Sequence, residues 1–333
     1  MEKKEIKRIA IFTSGGDAPG MNAAVSAVTR SAIASNIEVF GIYQGYQGMI
    51  DNDFKKLGIA DVHDIIQKGG TVLKTARSMD FMKKEGRQKA FQNLQKNKID
   101  GVIVIGGDGS FKGATIFSQE FDIPFIGIPG TIDNDISGTD YTIGYDTALN
   151  TVVEAIDKIK DTASSQDRLF FIEAMGHEAG LLALESGIAS GAEVILIPEI
   201  LDQENELDNF INNRIKDKNT SGIVVVSEGD ELGGALEIAK KVQSEYPHIE
   251  VRVSILGYIQ RGGNPTAKDR VEAIRMGVAA FKCLLAGKKN IMVGLKKHDI
   301  IEVPFSKTAK AFRSINSELL DIQKTLNNYS VTT

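Results

Sequence analysis

Short, uninterrupted apolar runs alternate along this chain with longer stretches of helical character. Helical patterns over residues 23–34 and 111–117 each follow such a run. Apolar runs without alternation are typical of strands buried on both faces, and helices between them indicate parallel connections. We therefore predict an α/β fold with doubly wound parallel sheets. The predicted strands cover residues 9–12, 102–105, 125–128, 169–172, 194–197, 223–226 and 251–256.

The turns after these predicted strands are rich in glycine. TSGGDAPGMN follows the first run and GGDGS follows the second, in a chain with 33 Gly and only 7 Pro. In doubly wound sheets the ligand lies outside the carboxyl ends of the strands. The alternative, flexible linkers, does not account for the repeated order of strand, Gly/Asp turn and helix. The placement predicts a binding site.

Composition narrows the class of partner. The 333 residues carry 39 Lys+Arg against 44 Asp+Glu, a formal charge of −5, so the bulk charge does not favour nucleic acid. No apolar run approaches the roughly 20 residues that span a bilayer, and the opening MEKKEIKRIA has no export signal. The single Cys283 cannot form an intrachain disulfide and lies in an apolar helical stretch, which predicts a buried structural thiol. We expect a soluble, cytoplasmic protein that binds neither nucleic acid nor membrane.

Two glycine-rich turns have the chemistry of anion sites. Neither has the GxGxxG spacing, and the chain has no GxxxxGK[ST] motif. A glycine-rich turn at a helix N-terminus nevertheless presents backbone N–H groups and a positive dipole to an anion. Gly15-Gly16 and residues 106–110 could together hold a polyphosphate. Asp108 could place a hard cation against it, or it could be an ordinary helix N-cap.

The segment TIDND contains a pair of carboxylates. If it is extended, Asp133 and Asp135 project to the same side. One interpretation is that the two carboxylates serve as a base and a metal anchor beside a phosphate loop. The other is that they belong to an Asx-rich turn. Four arginines in or near the turns and strands, unlike the lysines on helix faces, favour an anionic substrate. They are Arg77, Arg168, Arg252 and Arg261.

Together these motifs resemble the bacterial-type ATP-dependent 6-phosphofructokinases. TSGGDAPGMNA, GIYQGYQG, IGGDGS, PGTIDNDISGTDYTIGYDTA, EAMG and LGYIQRGGNP stand in that family's order and spacing over residues 9–286. The resemblance implies phosphoryl transfer from ATP to the 1-hydroxyl of fructose 6-phosphate, with Mg²⁺. It also implies a homotetramer with shared active sites, to which Arg168 and Arg252 are lent across a subunit interface.

The resemblance assigns roles to individual residues. Asp133 would be the general base, and Asp108 and Asp135 would hold Mg²⁺ directly or through water. Charge on the transferring group would be stabilised by Gly16, Arg77 and Thr131. The nucleotide would contact Gly16, Tyr46 (near the adenine), Arg77, Ser78, Asp108, Gly109, Ser110 and Gly113. The sugar phosphate would contact Thr131, Asp133, Asp135, Arg168, Met175, Gly176, His177, Glu228, Arg252, Tyr258 and Arg261.

Some positions indicate the phosphoryl donor, and others depart from the family pattern. Pyrophosphate-dependent relatives have an aspartate at the last position of GGDG and a lysine before TIDND; here Gly109 and Gly130 favour ATP. His177 replaces a usual arginine, and Tyr258 replaces a common histidine. At the effector site Arg30 and Glu193 persist and Lys160 replaces an arginine. Cations have been lost there at Ser26, Ile59, Asp217 and Asn219, so we expect weak control by ADP or phosphoenolpyruvate.

The expected architecture is two doubly wound parallel-sheet domains with the active site in the cleft between them. We expect an ATP/Mg-binding domain over 1–144 and 260–311 and a sugar-phosphate-binding domain over 145–259 and 312–333. Two alternatives stay open. One is a pyrophosphate-dependent or NAD-kinase-like phosphotransferase, and the other is a non-catalytic sugar-binding module, which has no need of the TIDND carboxylates.

Overall fold

The apolar runs form the central strands of two sheets in a computed structural model that describes residues 5–200, 203–216, 221–309 and 317–327. The chain divides into a first unit, Met1–Thr147 with Arg261–Ala311, and a second unit, Ala148–Gln260 with Phe312–Thr333. The strands in chain order are β1 (Arg8–Thr13), β2 (Glu38–Ile42), β3 (Phe54–Leu57), β4 (Gly101–Gly106), β5 (Phe125–Pro129), β6 (Leu169–Ala174), β7 (Val194–Leu196), β8 (Gly222–Ser227), β9 (Val251–Ile255), β10 (Ile291–Lys296) and β11 (Asp299–Pro304).

The helices connect these strands in the alternating order that the sequence predicts. In chain order they are α1 (Met21–Ala34), α2 (Gly45–Asp51), α3 (Lys84–Lys96), α4 (Asp108–Glu120), α5 (Tyr145–Gln166), α6 (Leu181–Ser190), α7 (Glu204–Lys216), α8 (Ala235–Glu245), α9 (Ala267–Leu285) and α10 (Ser317–Asn327). Among the helices in the described ranges, none is both long enough and apolar enough to cross a bilayer. Cys283 is buried in α9, as predicted.

The first unit contains a seven-stranded sheet in the order β11-β10-β5-β4-β1-β2-β3. Its interior pairs are parallel, whereas β2–β3 and β10–β11 are antiparallel. The central strands β1, β4 and β5 are almost wholly buried, because helices cover both faces. Phe12 and Val104 belong to a core cluster with residues of α2, α3 and α4. Helices α1 and α9 pack together and against the same central strands.

The second unit contains a four-stranded, fully parallel sheet in the order β7-β8-β6-β9. Its core combines inward residues of β6 and β8, such as Phe171 and Val224, with apolar positions of α7 and α8. The α/β class and the two parallel-sheet domains are therefore confirmed. In both units the polar turns singled out from the sequence follow the carboxyl ends of the central strands.

Candidate active site

The two predicted glycine turns of the first unit lie side by side. The Ser14 amide after β1 donates to the Ile105 carbonyl in β4 at 2.9 Å. A Cβ at Gly106 would lie 2.4 Å from the Ser110 Oγ and 2.5 Å from the Ser14 carbonyl oxygen. Only glycine permits this approach, and Gly15 adopts a left-handed φ of +84° that also favours glycine.

The second turn opens α4 with an accessible backbone. Gly107 is the N-cap, and Asp108 is the first helical residue, so the interpretation of Asp108 as an N-cap is wrong. A Cβ at Gly109 would meet nothing within 4 Å. The Ser110 Oγ is buried without a hydrogen-bond partner among the described residues. Together these groups give the helix N-terminus the exposed amides and positive dipole of an anion site.

Tyr46 lies in the core rather than on an open surface. Its ring stacks on Phe81 at a centroid distance of 4.0 Å, and only 7% of the residue is exposed. The hydroxyl donates to the Ser110 carbonyl at 2.6 Å, and burial raises the pKa of Tyr46 so that the hydroxyl stays protonated. Tyr46 therefore supports the first turn of α4, and its expected contact with the adenine stays a prediction.

The TIDND segment follows β5 and is bent. The Gly130 amide donates to the Gly106 carbonyl at 3.0 Å, which brings this segment to the second glycine turn. The Thr131 Oγ1 accepts from the Asp133 amide at 3.2 Å and donates to the Asp133 Oδ2 at 3.3 Å. Asn134 adopts a left-handed φ of +50°. The extended geometry assumed for the carboxylate pair is wrong, because the threonine hydroxyl closes a local turn.

Of the four arginines predicted to bind an anion, Arg77 and Arg261 belong to the first unit, and neither has an acidic partner among the described residues. Arg77 is exposed, and the neighbouring Ser78 hydroxyl donates to the Gln47 Oε1 at 2.7 Å. The Arg261 guanidinium lies against the first glycine turn: a Cβ at Gly16 would be 2.0 Å from its Nη1. An unpaired guanidinium beside a backbone anion site, as at Arg261, suits bidentate phosphate binding.

A second group of predicted site residues converges at the carboxyl ends of β6 and β8 in the second unit. The His177 amide donates to the Glu228 Oε1 at 2.8 Å, and His177 has a left-handed φ of +56°. A Cβ at Gly229 would lie 1.9 Å from the His177 carbonyl oxygen, so the two loops are in contact. Met175, Gly176, His177 and Glu228 are thus brought together. Tyr258 is 84% exposed.

Gln260 is a residue of this group that sequence reasoning missed. Its Oε1 accepts from the Met175 amide at 3.0 Å, and its Nε2 donates to the Gly257 carbonyl at 3.0 Å. The side chain is fully buried. The available signal in the sequence was its position directly before Arg261 in YIQRGG.

Arg168 and Arg252 lie at the opposite end of the second sheet. Arg168 precedes β6 and Arg252 is near the start of β9, whereas Met175 follows the end of β6, roughly 20 Å away along the strand. The Arg168 Nε pairs with the Glu250 Oε1 at 2.9 Å, and Arg252 pairs with the same carboxylate. The bond from Arg168 lowers the pKa of Glu250. Within the second unit, these arginines do not join the Met175–Glu228 group.

The residues predicted to form a residual effector site make local hydrogen bonds. The Arg30 Nε donates to the Ser26 Oγ at 3.3 Å. The Lys160 Nζ donates to the Ser190 and Gly191 carbonyls at 2.8 and 3.0 Å, at the C-terminus of α6. The Glu193 Oε2 accepts from the Ile223 amide at 2.8 Å. Asp217 and Asn219 lie outside the described residues.

The carboxylates suit a magnesium ion that is shared with a nucleotide. In the described part of the chain, no three His, Cys, Asp or Glu side chains cluster as a complete metal site. Mg²⁺ usually takes one or two protein carboxylates and completes its shell with phosphate oxygens and water. Asp108 and Asp135 are hard oxygen donors, and the buried Oδ1 of Asn134, the residue before Asp135, has no partner among the described residues. The exposed Lys112, 2.6 Å from the Asp108 Oδ2, can move away when a cation binds. The donor set fits.

Comparison with known proteins decides the family. Residues 8–284 match the family model described as Phosphofructokinase. The chain belongs to the phosphofructokinase family. Its similarity to curated phosphofructokinases extends over nearly its whole length. It is 52% identical over 322 residues to ATP-dependent 6-phosphofructokinase 2 of Bacteroides thetaiotaomicron, covering 97% of this chain and 99% of that protein. It is 49% identical over 321 residues to ATP-dependent 6-phosphofructokinase 1 of Thermus thermophilus, covering 96% and 99% respectively.

Solved phosphofructokinase structures share the architecture. Phosphofructokinase from Saccharomyces cerevisiae matches with a TM-score of 0.86 and 35% identity, over 96% of this chain. The chain spans about half, 48%, of that yeast chain. A pyrophosphate-dependent phosphofructokinase from Marinobacter aquaeolei matches with a TM-score of 0.82 at 24% identity over 96% of this chain and 91% of that chain, which shows the fold alone.

Proposed function

We propose that this protein is an ATP-dependent 6-phosphofructokinase that transfers the γ-phosphate of ATP to the 1-hydroxyl of fructose 6-phosphate in glycolysis. The names of relatives about 50% identical over almost the whole chain support this. The structural observation that carries the proposal is the meeting of two glycine turns and the TIDND segment around Gly106. Phosphoryl transfer depends mainly on such positioning and on electrostatics.

In this proposal the first unit binds the nucleotide. The backbone amides at the start of α4, the Ser110 hydroxyl and the turn at Gly16 hold the polyphosphate. Arg77 is exposed and has no acidic partner among the described residues, so it can donate charge-assisted hydrogen bonds to the phosphates. The next residue, Ser78, also contacts the nucleotide. Gly109 and Gly113 keep the approach open, and Tyr46, which holds the Ser110 carbonyl, lies near the adenine.

Asp133 is the proposed general base. Its carboxylate takes the proton from the 1-hydroxyl as that oxygen attacks in line. The Thr131 hydroxyl fixes the carboxylate by donating a hydrogen bond of 3.3 Å. Together with Gly16 and Arg77, it stabilises negative charge on the transferring group. Asp108 and Asp135 hold Mg²⁺, directly or through water; when bound, the ion neutralises negative charge on the phosphates.

The sugar phosphate is the proposed ligand of the second group. One part of this binding site consists of Met175, Gly176, His177 and Glu228. The hydrogen bond from the His177 amide to Glu228 holds their two loops together. Tyr258 can donate one hydrogen bond to the phosphate, and His177 supplies a weaker donor than a guanidinium. Thr131, Asp135 and Arg261 complete the proposed set.

We also propose a cytoplasmic homotetramer with shared active sites. The support is that Arg168 and Arg252 lie together at the amino ends of their strands, paired with Glu250 and away from the Met175–Glu228 group. An arginine pair so placed suits donation to a neighbouring subunit.

The test is a steady-state assay of the wild-type protein with fructose 6-phosphate and Mg²⁺, using ATP or pyrophosphate as the phosphoryl donor. We expect turnover with ATP and no comparable turnover with pyrophosphate. Gly109, where pyrophosphate-dependent relatives have an aspartate, leaves space for the rest of the ATP molecule beside the first turn of α4. Preferential use of pyrophosphate, or inactivity toward fructose 6-phosphate alongside phosphorylation of NAD, would overturn the proposal.

A further inference from the structure

A buried aspartate in the first turn of α9 accepts several hydrogen bonds from a segment of the first unit that is far away in sequence. Asp269 is fully buried. Its Oδ1 accepts from the Tyr141 hydroxyl at 2.5 Å and from the Gly144 amide at 2.6 Å. Its Oδ2 accepts from the Thr147 amide at 2.8 Å and from the Thr147 hydroxyl. No Lys or Arg in the described ranges forms an ion pair with it.

We propose that Asp269 is a positioning residue for phosphoryl transfer, which holds three site-bearing loops of the first unit in one arrangement. The loops are the TSGGDAPG turn before α1, the segment from TIDND to the start of α5, and the RGGNP turn before α9. The proposed role in catalysis rests on the proposed function, whereas the fixing of the loops does not.

The first connection runs from Asp269 to the proposed general base. The segment that Asp269 holds folds back on the end of β5: the Ile143 amide donates to the Pro129 carbonyl at 2.9 Å, and the Thr131 amide donates to the Ile143 carbonyl at 3.1 Å. The Thr142 hydroxyl donates to the Thr131 carbonyl at 2.7 Å. A shift of residues 141–147 therefore moves the backbone of Thr131, whose hydroxyl fixes Asp133.

The second connection runs to the other two loops. A Cβ at Gly20, the residue before α1, would lie 3.5 Å from the Asp269 Cβ and 2.7 Å from the Ile143 Cγ2. On the α9 side, the Thr266 hydroxyl accepts from the Asp269 amide at 3.2 Å as the N-cap of the helix. The Thr266 amide donates to the Thr147 Oγ1 at 3.0 Å. The turn that begins with Arg261 is thereby joined to the same carboxylate.

The carboxylate is required because both oxygens face main-chain donors. In Asp269→Asn one oxygen becomes an NH₂ group. Whichever way the amide turns, this NH₂ faces the amide N–H of either Gly144 or Thr147, and two donors cannot form a bond. The substitution preserves shape and volume, so it removes the hydrogen bonds without creating a cavity.

The test compares Asp269→Asn with Leu94→Ala by hydrogen–deuterium exchange and by steady-state kinetics, at a temperature well below both melting points. Leu94 is a fully buried residue of α3, so its truncation destabilises the same unit without touching the three loops. For Asp269→Asn we expect faster exchange at residues 129–147 with unchanged exchange in β8. We expect kcat to fall about 10- to 100-fold, with a smaller change in KM for fructose 6-phosphate. Leu94→Ala keeps kcat near the wild-type value.

Tyr141→Phe keeps the test decisive if Asp269→Asn does not fold, because it removes one donor and leaves the others. We expect a fall in kcat of about 3- to 10-fold and a local rise in exchange. Unchanged exchange at 129–147 in the folded variants, or raised exchange with wild-type kcat, overturns the proposal. A wild-type protein inactive on fructose 6-phosphate overturns the proposed function instead, and the exchange comparison still decides whether Asp269 fixes the loops.

Discussion

At the scale of single residues, the largely buried ion pair of Arg87 and Glu120 fixes the segment that follows Arg77. The Arg87 Nε and Nη2 each donate to the Glu120 carboxylate at 2.7 Å. The Nη1 of the same guanidinium donates to the carbonyls of Phe81 and Met82 at 3.0 and 2.8 Å. The pair therefore links α3 and α4 to the chain just after the proposed nucleotide contact at Arg77 and Ser78.

Glu120→Gln should destabilise the protein by about 1.5–3 kcal/mol at neutral pH, the range for a hydrogen bond to a charged group. The bond from Arg87 lowers the pKa of Glu120 below its ordinary 4.5. Its stabilising contribution is thus complete above pH 4.5 and is lost as the pH falls through the lowered folded value. Urea unfolding at pH 7 and at pH 3 measures the difference.

The control is Glu154→Gln, because Glu154 also pairs with a cation, Lys158, but on the surface of α5. We expect this exposed pair to change the free energy of unfolding much less. Equal effects of the two substitutions, or an effect of Glu120→Gln that grows toward pH 3, would contradict the account of the Arg87 pair.

At the scale of elements, the contact between α1 and α9 depends on small residues. A Cβ at Gly277 in α9 would lie 2.9 Å from the Ala27 Cβ and 3.0 Å from the Ala24 carbonyl oxygen in α1. Glycine, despite its cost inside a helix, permits this close approach. The contact matters for the site because α1 follows the first glycine turn and α9 begins beside Asp269.

Gly277→Leu should lower the free energy of unfolding by about 1–3 kcal/mol or more, since the added side chain enters a packed helix crossing. Denaturant unfolding monitored by circular dichroism measures it. Val271→Leu, at a largely exposed position of the same helix, is the control and should have little effect. A wild-type midpoint for Gly277→Leu would show that the two helices are not packed as described.

In the first unit, the sequence reveals the three central strands better than the strands that flank them. The continuous apolar runs of β1, β4 and β5 predict those strands because the strands are buried on both faces. β3 reads FKKL, with both lysines exposed, and it was not predicted because an edge strand needs only one apolar face. β2, β10 and β11 were missed as well.

For the site, the sequence predicts which residues are needed but not the geometry that they adopt. Gly106 and Gly109 were predicted because an anion turn needs glycine, whatever surrounds it. The bend of TIDND depends on the Thr131 hydroxyl, and the burial of Tyr46 depends on Phe81, which no local pattern reveals. Asp269 was not predicted at all, because its partners are more than a hundred residues away in sequence.

At the scale of the whole molecule, the remaining question is regulation. Differential affinity for two states is what allows an effector to shift an equilibrium. Lys160, which replaces an arginine, already caps the end of α6, and Glu193 accepts a main-chain bond. Few charged groups are thus left for a phosphorylated effector at the predicted effector positions.

Millimolar phosphoenolpyruvate or ADP should therefore move the saturation curve for fructose 6-phosphate by less than about twofold, well below the 5- to 150-fold range of ordinary allosteric coupling. The measurement is initial rate against fructose 6-phosphate at fixed ATP and Mg²⁺. Sedimentation under the same conditions checks that the oligomer, proposed to be a tetramer, is unchanged. A severalfold shift by either ligand would refute the prediction.

The central claim, an ATP-dependent phosphotransferase with Asp133 as its base, is tested most directly by Asp133→Ser in the ATP assay with fructose 6-phosphate. Asp122→Ser, at an almost fully exposed aspartate of the same unit, is the matched control. We predict that Asp133→Ser lowers kcat by about 10²- to 10⁴-fold at an unchanged melting temperature, while the control keeps wild-type kinetics. A folded Asp133→Ser variant with wild-type kcat would contradict the account.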